Sequence, residues 1–245
     1  MKLLKSITVL AFIMIAYSCE KNTDSSTGTL HSAYDEFDEN NVEVTIDGDE
    51  VEIVTNGLPN HVSPYWSSTH ALYVAPTVTT TAEMAPGNID DFSGSYSLTV
   101  STAPEKASNS SATGLGAIGI AVSGAVIYND EEGPNVPLDN AVGSLDLNGA
   151  HTGPQSFHYH LEPISFSEDD ENLIGVIADG FFLYGRKCNA TGTYPTDLDA
   201  SGGHTSTTQH TTEAEYHYHI ENELYLNQYY ILFPGDYQGT ANAIQ

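Results

Sequence analysis

Two copies of one sequence cassette lie in the second half of this 245-residue chain. Each copy starts with an apolar stretch interrupted by a glycine, continues with a Leu-Asp pair and then a His-Thr pair, and ends in an aromatic-His-Tyr-His box. The copies cover about residues 117–160 and 173–219, and matching blocks are offset by 56, 53 and 59 residues. Because the blocks keep their order while the loops change length, the pattern predicts a duplicated structural unit.

The apolar stretch of each copy predicts a buried β-hairpin. Residues 118–128 and 174–184 are rich in β-branched and small apolar residues, with Ser123-Gly124 and Asp179-Gly180 as the matching turn signals. Few stretches of the chain have apolar residues at helical spacing over ten or more positions. The predicted fold class is therefore all-β, a sandwich- or barrel-like domain containing the duplicated hairpin-plus-His-box unit.

Six histidines recur at matching points of the two copies. They are His151, His158 and His160 in the first copy, and His204, His217 and His219 in the second. Side chains alternate along a strand, so the two histidines of each box point to one face and the tyrosine between them to the other. Two imidazoles on one strand face and a third from the preceding turn can ligate one ion and leave an open position.

We therefore predict that the six histidines bind one or two transition-metal ions, with zinc or copper as the leading choices. Each copy could hold its own ion. Alternatively, the two copies could face each other and share ions across the pseudo-axis between them.

Two further residues are candidate members of the site. His61 follows a turn-rich segment before the repeats, and Asp179, in a hairpin turn, could orient a histidine or act as a base. As a turn residue, Asp179 needs no such role. Cys188 follows a basic pair that could favour its thiolate, but we expect it to be a buried or idle thiol.

The N-terminus predicts a lipid anchor. Residues 1–19 have two lysines, a short apolar core and a final Cys19, which resembles a bacterial lipobox; an ordinary cleaved signal peptide is the alternative. Residues 20–40 are polar and acidic and predict a flexible tether, with His31 playing no part, and residues 41–245 predict a single β-rich domain. We expect a bacterial envelope protein attached to the membrane through lipidated Cys19.

The charge balance excludes one class of partner. Apart from Lys2 and Lys5, the chain has four basic residues against 33 acidic ones. A surface this negative repels nucleic acid, so no nucleic-acid partner is expected. It either attracts cations or keeps the protein soluble in a salty environment. With Cys19 lipidated, Cys188 has no partner for an intramolecular disulfide.

Several motifs taken together resemble those of a known family. They are Tyr216–His219, the variant Phe157–His160, the Asn56–His61 segment and the glycine-containing hairpins. Over about residues 55–220 the chain is similar to the YHYH family of secreted bacterial proteins. The resemblance implies a secreted domain, strengthens His61 and the recurrent histidines as site residues, and brings no reaction with it. Asn148 and Ser201 stand where family members often have cysteine.

Metal binding is the preferred function because no nucleophile or paired-acid motif indicates a particular reaction. The first alternative is a metal-dependent hydrolase or oxidoreductase, which would leave a metal position open beside a carboxylate such as Asp179. The second is a metal-free adhesion or interaction module, in which the two His-x-His pairs point into separate hydrogen-bond networks.

Overall fold

The computed structural model describes residues 28–77 and 83–245, and these form a fold of short strands. The strands are β1 (Val42–Asp47), β2 (Glu50–Thr55), β3 (Tyr96–Ser101), β4 (Gly119–Ala121), β5 (Val126–Ile127), β6 (Glu131–Gly133), β7 (Val136–Pro137), β8 (Ala150–Thr152), β9 (Phe157–Tyr159), β10 (Leu173–Ile177), β11 (Phe182–Tyr184), β12 (Gly203–Ser206) and β13 (Glu215–His219). The helices are 3-10 turns at Ser32–Glu36, Ile89–Phe92, Leu138–Asn140 and Val142–Ser144. The all-β prediction is confirmed. Within the two described ranges, no helix has the length and apolarity that crossing a membrane requires.

The duplication forms one eight-stranded sheet, curled into a half-barrel, with the order β12-β13-β11-β10-β4-β5-β9-β8. Its two halves are built alike. In the first half, β4 and β5 form a hairpin, the box strand β9 pairs parallel with β5, and β8, which has the His-Thr pair, lies at the edge beside β9. In the second half, β10, β11, β13 and β12 take the same places in that order. The halves meet where β4 pairs antiparallel with β10. The strand order therefore has an approximate two-fold axis between β4 and β10.

Two matching glycines allow the halves to approach closely at this axis. A Cβ on Gly175 would lie 2.2 Å from the Ile120 carbonyl oxygen, and one on Gly119 would lie 2.8 Å from the Val176 carbonyl oxygen. Contacts this short with backbone atoms cannot be relieved by moving a side chain. The recurring Ile-Gly pair of the cassette is thus explained by the packing of one hairpin against the other.

The predicted hairpin turns are present in both copies. Gly124 and Gly180 have φ values of 108° and 90°, a region that side-chain-bearing residues rarely adopt. Each glycine amide donates a hydrogen bond across its turn, to Ala121 in the first copy and to Ile177 in the second. The turns therefore need glycine at the second position, while Ser123 and Asp179 supply a polar side chain at the first.

Three of the remaining strands form a separate antiparallel sheet, β1-β2-β3, that packs against the half-barrel, and the other two, β6 and β7, form a short ribbon. Ile53 and Leu98 from this sheet are fully buried in the same hydrophobic cluster as Ile120 and Val176 from the other. The Thr55 hydroxyl also donates to the Gly124 carbonyl at 2.5 Å, which ties the small sheet to a hairpin turn. One core thus supports both His-bearing halves.

The predicted flexible tether is wrong for its last part. Residues 1–27, with the predicted signal peptide, Cys19 and the start of the tether, lie outside the described residues. Further along, Ser32–Glu36 is a 3-10 helix, and Tyr34 and Phe37 are buried in the main core. The His31 ring packs against Phe182 in a tilted arrangement, with the ring centroids 4.9 Å apart, so it too has a structural role. The acidic neighbours of these aromatic residues concealed their burial.

Candidate metal centres

The recurring histidines form two separate clusters on the outer strands of the half-barrel. His151 on the edge strand β8 lies opposite His158 on β9, and His204 on the edge strand β12 lies opposite His217 on β13. The last histidine of each box, His160 or His219, completes each cluster. We call His151, His158 and His160 the first triad, and His204, His217 and His219 the second triad.

Within each triad the ring nitrogens converge. The Nε2 atoms of His151 and His158 are 3.1 Å apart, as are those of His217 and His219. In each cluster, one nitrogen from every histidine lies within 4.8 Å of the others, and all six residues are buried. Each copy therefore assembles three imidazoles around one point. The alternative that the two copies share ions across the axis is wrong, because the triads lie at opposite ends of the sheet order.

Each box histidine uses its Nδ1 atom as a donor to a backbone carbonyl oxygen. The four pairs are His158 with Ser156 at 3.2 Å, His160 with Asn129 at 2.6 Å, His217 with Glu215 at 3.0 Å and His219 with Gly185 at 2.7 Å. A carbonyl oxygen only accepts, so Nδ1 must carry the proton. In the neutral ring Nε2 is then unprotonated, and its lone pair points into the cluster.

The edge-strand histidines are fixed in the same way by side chains. The Ser144 hydroxyl donates to the Ala141 carbonyl, so it accepts the Nδ1 proton of His151 at 2.8 Å. In the second triad, His204 Nδ1 lies 2.9 Å from a carboxylate oxygen of Asp197. Carboxylates and other acceptors behind a ligating histidine set its tautomer and orientation in metal proteins.

The consequence is that the nitrogen lone pairs of each triad face one another. The 3.1 Å contact between His217 and His219 joins two Nε2 atoms that both lack a proton, which is repulsive. His160 Nε2 is buried without a hydrogen bond, since its 3.4 Å contact with the Glu132 carboxylate lacks hydrogen-bond geometry. A cation at the centre of each triad would turn this repulsion into ligation.

Burial keeps these rings neutral. Desolvation is the main cause that lowers the pKa of every triad histidine with a resolved shift, and repulsion from a neighbouring triad ring adds to it in all but His160. The pKa falls to about 3 for His151 and His217, to about 4 for His160 and His219, and well below its ordinary value for His158. Neutral imidazole is the form that binds metal.

A fourth potential ligand stands beside each triad: the sequence reasoning missed Glu132 and did not link Cys188 to the histidines. A Glu132 carboxylate oxygen is 3.4 Å from Nε2 of both His151 and His160. The Cys188 thiol is buried, as expected, and it groups with the second triad within the same 4.8 Å limit. Glu132 and Cys188 are 56 residues apart, the offset of the hairpin blocks that precede them. They are therefore equivalent positions of the repeat.

The aspartates before the edge strands shape the turns that present the first histidine of each triad. Asp146 Oδ1 accepts hydrogen bonds from the backbone amides of Asn148 and Ala150, at 2.8 and 3.2 Å. Asp199 Oδ1 accepts the equivalent pair in the second copy. Such side-chain-to-backbone bonds define a tight Asx-type turn. The recurring Leu-Asp pair thus positions the edge strands.

A sequence model of the family described as YHYH protein matches residues 95–196. Over this segment the chain is similar to the YHYH family. The match includes the first triad, both hairpins and Cys188, while the Tyr216–His219 box lies beyond it. The resemblance is confirmed, over a shorter range than the predicted 55–220. No curated protein and no solved structure matches the chain.

The two additional candidates lie on the opposite face of the sheet from the triads. His61 Nε2 is 2.6 Å from the hydroxyl of Tyr159, inside the YHYH segment, and Asp179 accepts a 2.5 Å hydrogen bond from Tyr218. These tyrosines occupy the middle of the boxes and point away from the flanking histidines. The prediction that His61 or Asp179 adds to a metal site is therefore wrong; both fasten a box strand to the core.

The first triad, which lies within the YHYH segment, faces a cavity of about 570 Å³. All three histidines and Glu132 lie in its wall. Tyr128 also lines it and stacks on His158, with the ring centroids 3.8 Å apart and the planes 17° from parallel. The first centre thus has space for a ligand beside the converging nitrogens.

Proposed function

We propose that this chain binds two transition-metal ions, one in each triad, as an envelope protein anchored through lipidated Cys19. The observation that carries the metal proposal is the convergence of unprotonated Nε2 atoms in both triads, with every Nδ1 directed at an acceptor behind the ring. Imidazole rings that are held by an acceptor at Nδ1 and directed at a common point through Nε2 are typical of metal sites.

A metal-free role for the triads is disfavoured on energetic grounds. A buried polar atom without a partner costs about 1–3 kcal/mol. His160 Nε2 has no hydrogen bond, and in the second triad two unprotonated nitrogens of His217 and His219 face each other. In a metal-free adhesion module these nitrogens would destabilise the fold and serve no purpose. A bound metal ion would instead give each of them a partner.

Zinc and copper are the favoured ions. Imidazole suits zinc, copper, iron and nickel, and the thiolate available at Cys188 favours zinc or copper(I) at the second triad. The acidic surface, with formal net charge −27 for the whole chain, raises the local concentration of cations. Both features support a protein that acquires metal outside the cytoplasm.

Equilibrium dialysis of the full chain against zinc, in mild detergent and without a histidine tag, tests the proposal. The informative variants replace box histidines by asparagine, because the asparagine amide can keep the Nδ1 hydrogen bond while removing Nε2. We expect two zinc ions per chain, one in the His158→Asn/His160→Asn variant, and one in the His217→Asn/His219→Asn variant.

A matched control is His61→Asn, which removes a buried histidine outside both triads and should leave two ions bound. Unchanged zinc content in both double variants would refute the proposal. Loss of both ions from either double variant would refute the independence of the two centres.

A further inference from the structure

We infer that the two centres have different tasks: the second triad with Cys188 is a closed structural site, and the first triad with Glu132 takes a small exogenous ligand. That ligand would donate an oxygen to the ion and place an apolar body in the adjoining cavity. The inference rests on the proposed metal binding and adds to it the class of ligand and the centre that receives it.

The centres differ at equivalent positions of an otherwise shared design. Glu132 and Cys188 are related by the 56-residue offset of the hairpins, and Ser144 and Asp197 by the 53-residue offset of the edge strands. The first pair changes the fourth ligand from carboxylate to thiol. The second changes the group behind the edge histidine from a hydroxyl to a carboxylate. Both changes bear directly on the ion.

The second centre has a complete set of protein ligands. Three imidazoles and the Cys188 sulfur make four, the number that structural zinc sites use. Cys188 is 1% exposed, and its backbone amide is held by the Thr193 carbonyl, so the thiol is fixed from the loop after β11. The Asp197 carboxylate behind His204 strengthens that ligand. A buried, four-ligand site leaves no position for a substrate.

The first centre is completed from a less constrained element. Glu132 lies on the short β6–β7 ribbon, and its side chain is 27% exposed. A carboxylate on a partly exposed ribbon can bind the ion through one or both oxygens, or be displaced by the oxygen of an incoming ligand. The metal position also faces the 570 Å³ cavity, so an external donor can reach it.

The cavity indicates what the ligand is like. Away from the triad its wall is made mainly of small and apolar residues, among them Ala85, Pro86, Leu115 and Pro154. Its volume falls in the range of about 300–1,000 Å³ that is usual for small-molecule sites, where a few polar groups fix an otherwise apolar ligand. Here the ion is the polar anchor. The fitting ligand is a small molecule with an oxygen donor and an apolar or aromatic body.

Cobalt(II) provides a spectroscopic test on the full chain, since it occupies zinc sites and reports its ligands. Wild-type protein should show a thiolate-to-cobalt charge-transfer band that is absent from Cys188→Ser. Azide should change the cobalt d–d bands of wild type, of Cys188→Ser and of His217→Asn/His219→Asn, but not those of His158→Asn/His160→Asn. Benzoate should bind roughly tenfold or more tightly than acetate, because its ring leaves water in the cavity.

The outcomes separate this inference from the proposed function. If no cobalt or zinc binds, metal binding itself is refuted. If two ions bind but the azide response is lost in His217→Asn/His219→Asn, metal binding stands and the division of tasks is overturned. Equal affinities for acetate and benzoate would have the same consequence. If the charge-transfer band is missing from wild type, Cys188 is not a ligand and the closed site is overturned.

Discussion

Zinc should stabilise the chain in two separable steps. An ion that binds only the folded chain adds about 2.7 kcal/mol when its free concentration is 100 times its Kd. For a protein of this size, each kcal/mol raises Tm by about 2–4 °C, so each centre should contribute roughly 5–10 °C. Two centres should therefore raise Tm by about 10–20 °C at saturating zinc.

The two steps should be independent because of where the sheet places them. The box strands β9 and β13 are separated by β5, β4, β10 and β11. With strands spaced about 4.8 Å apart, the triads are well beyond the 7–10 Å over which side-chain effects couple. Each double asparagine variant should thus lose only the contribution of its substituted triad and keep a zinc-induced rise in Tm of roughly 5–10 °C.

Differential scanning calorimetry with and without zinc measures this rise for wild type, for His158→Asn/His160→Asn and for His217→Asn/His219→Asn. The comparison uses the shift and not the absolute Tm, so destabilisation by the substitutions themselves does not affect it. His61→Asn should lower Tm yet retain the full shift. A variant of one triad that abolished the entire rise would refute the account of two independent centres.

Three other predictions concern the fold and its charges. Gly175→Ala should lower the free energy of unfolding by about 3 kcal/mol in urea titrations, because the new Cβ meets a carbonyl oxygen at the sheet axis, whereas Gly143→Ala, with open space around it, should cost under 1 kcal/mol. Tyr34→Ala should cost about 3 kcal/mol in the same assay, and no measurable loss would restore the tether prediction. The metal-free chain should lose stability as pH falls from 6.5 to about 5: five triad histidines, His151, His158, His160, His217 and His219, have lowered pKa values when folded, so the unfolded chain takes up protons first. His61, whose pKa burial lowers to about 4, adds to this effect. Carboxyls whose pKa burial raises act in the opposite direction: Asp146, with a pKa of about 6, and Asp130, Glu132, Glu162, Asp179 and Glu221. A flat or rising urea midpoint over this range would contradict the prediction.

The repeat in the sequence predicted the architecture well because it indicates which strands pair and to which side of the sheet the box histidines point. Equivalent hairpins with glycine at the same turn position lead to equivalent strands, and the alternation of each box sends its two histidines to one side. The six recurrent histidines therefore come together as two triads. What the repeat did not reveal was whether its copies face each other, because that depends on which strands meet at the axis.

The missed residues have a common cause. Glu132 and Cys188 occupy one repeat position but differ in chemistry, so a comparison that looks for identical residues passes over them. Aligning the residues after each hairpin at the 56-residue offset would have paired them. His61 and Asp179 were misplaced for another reason: their proximity to the box is real, but it is to the box tyrosines, which point into the core.

Elemental analysis by plasma mass spectrometry is the most direct test of the central claim. The full chain would be purified in mild detergent without chelator or histidine tag, then incubated with zinc or copper and freed of unbound ion. We expect two ions per chain. A chain that retained no ion under these conditions would contradict the claim that the two triads bind metal.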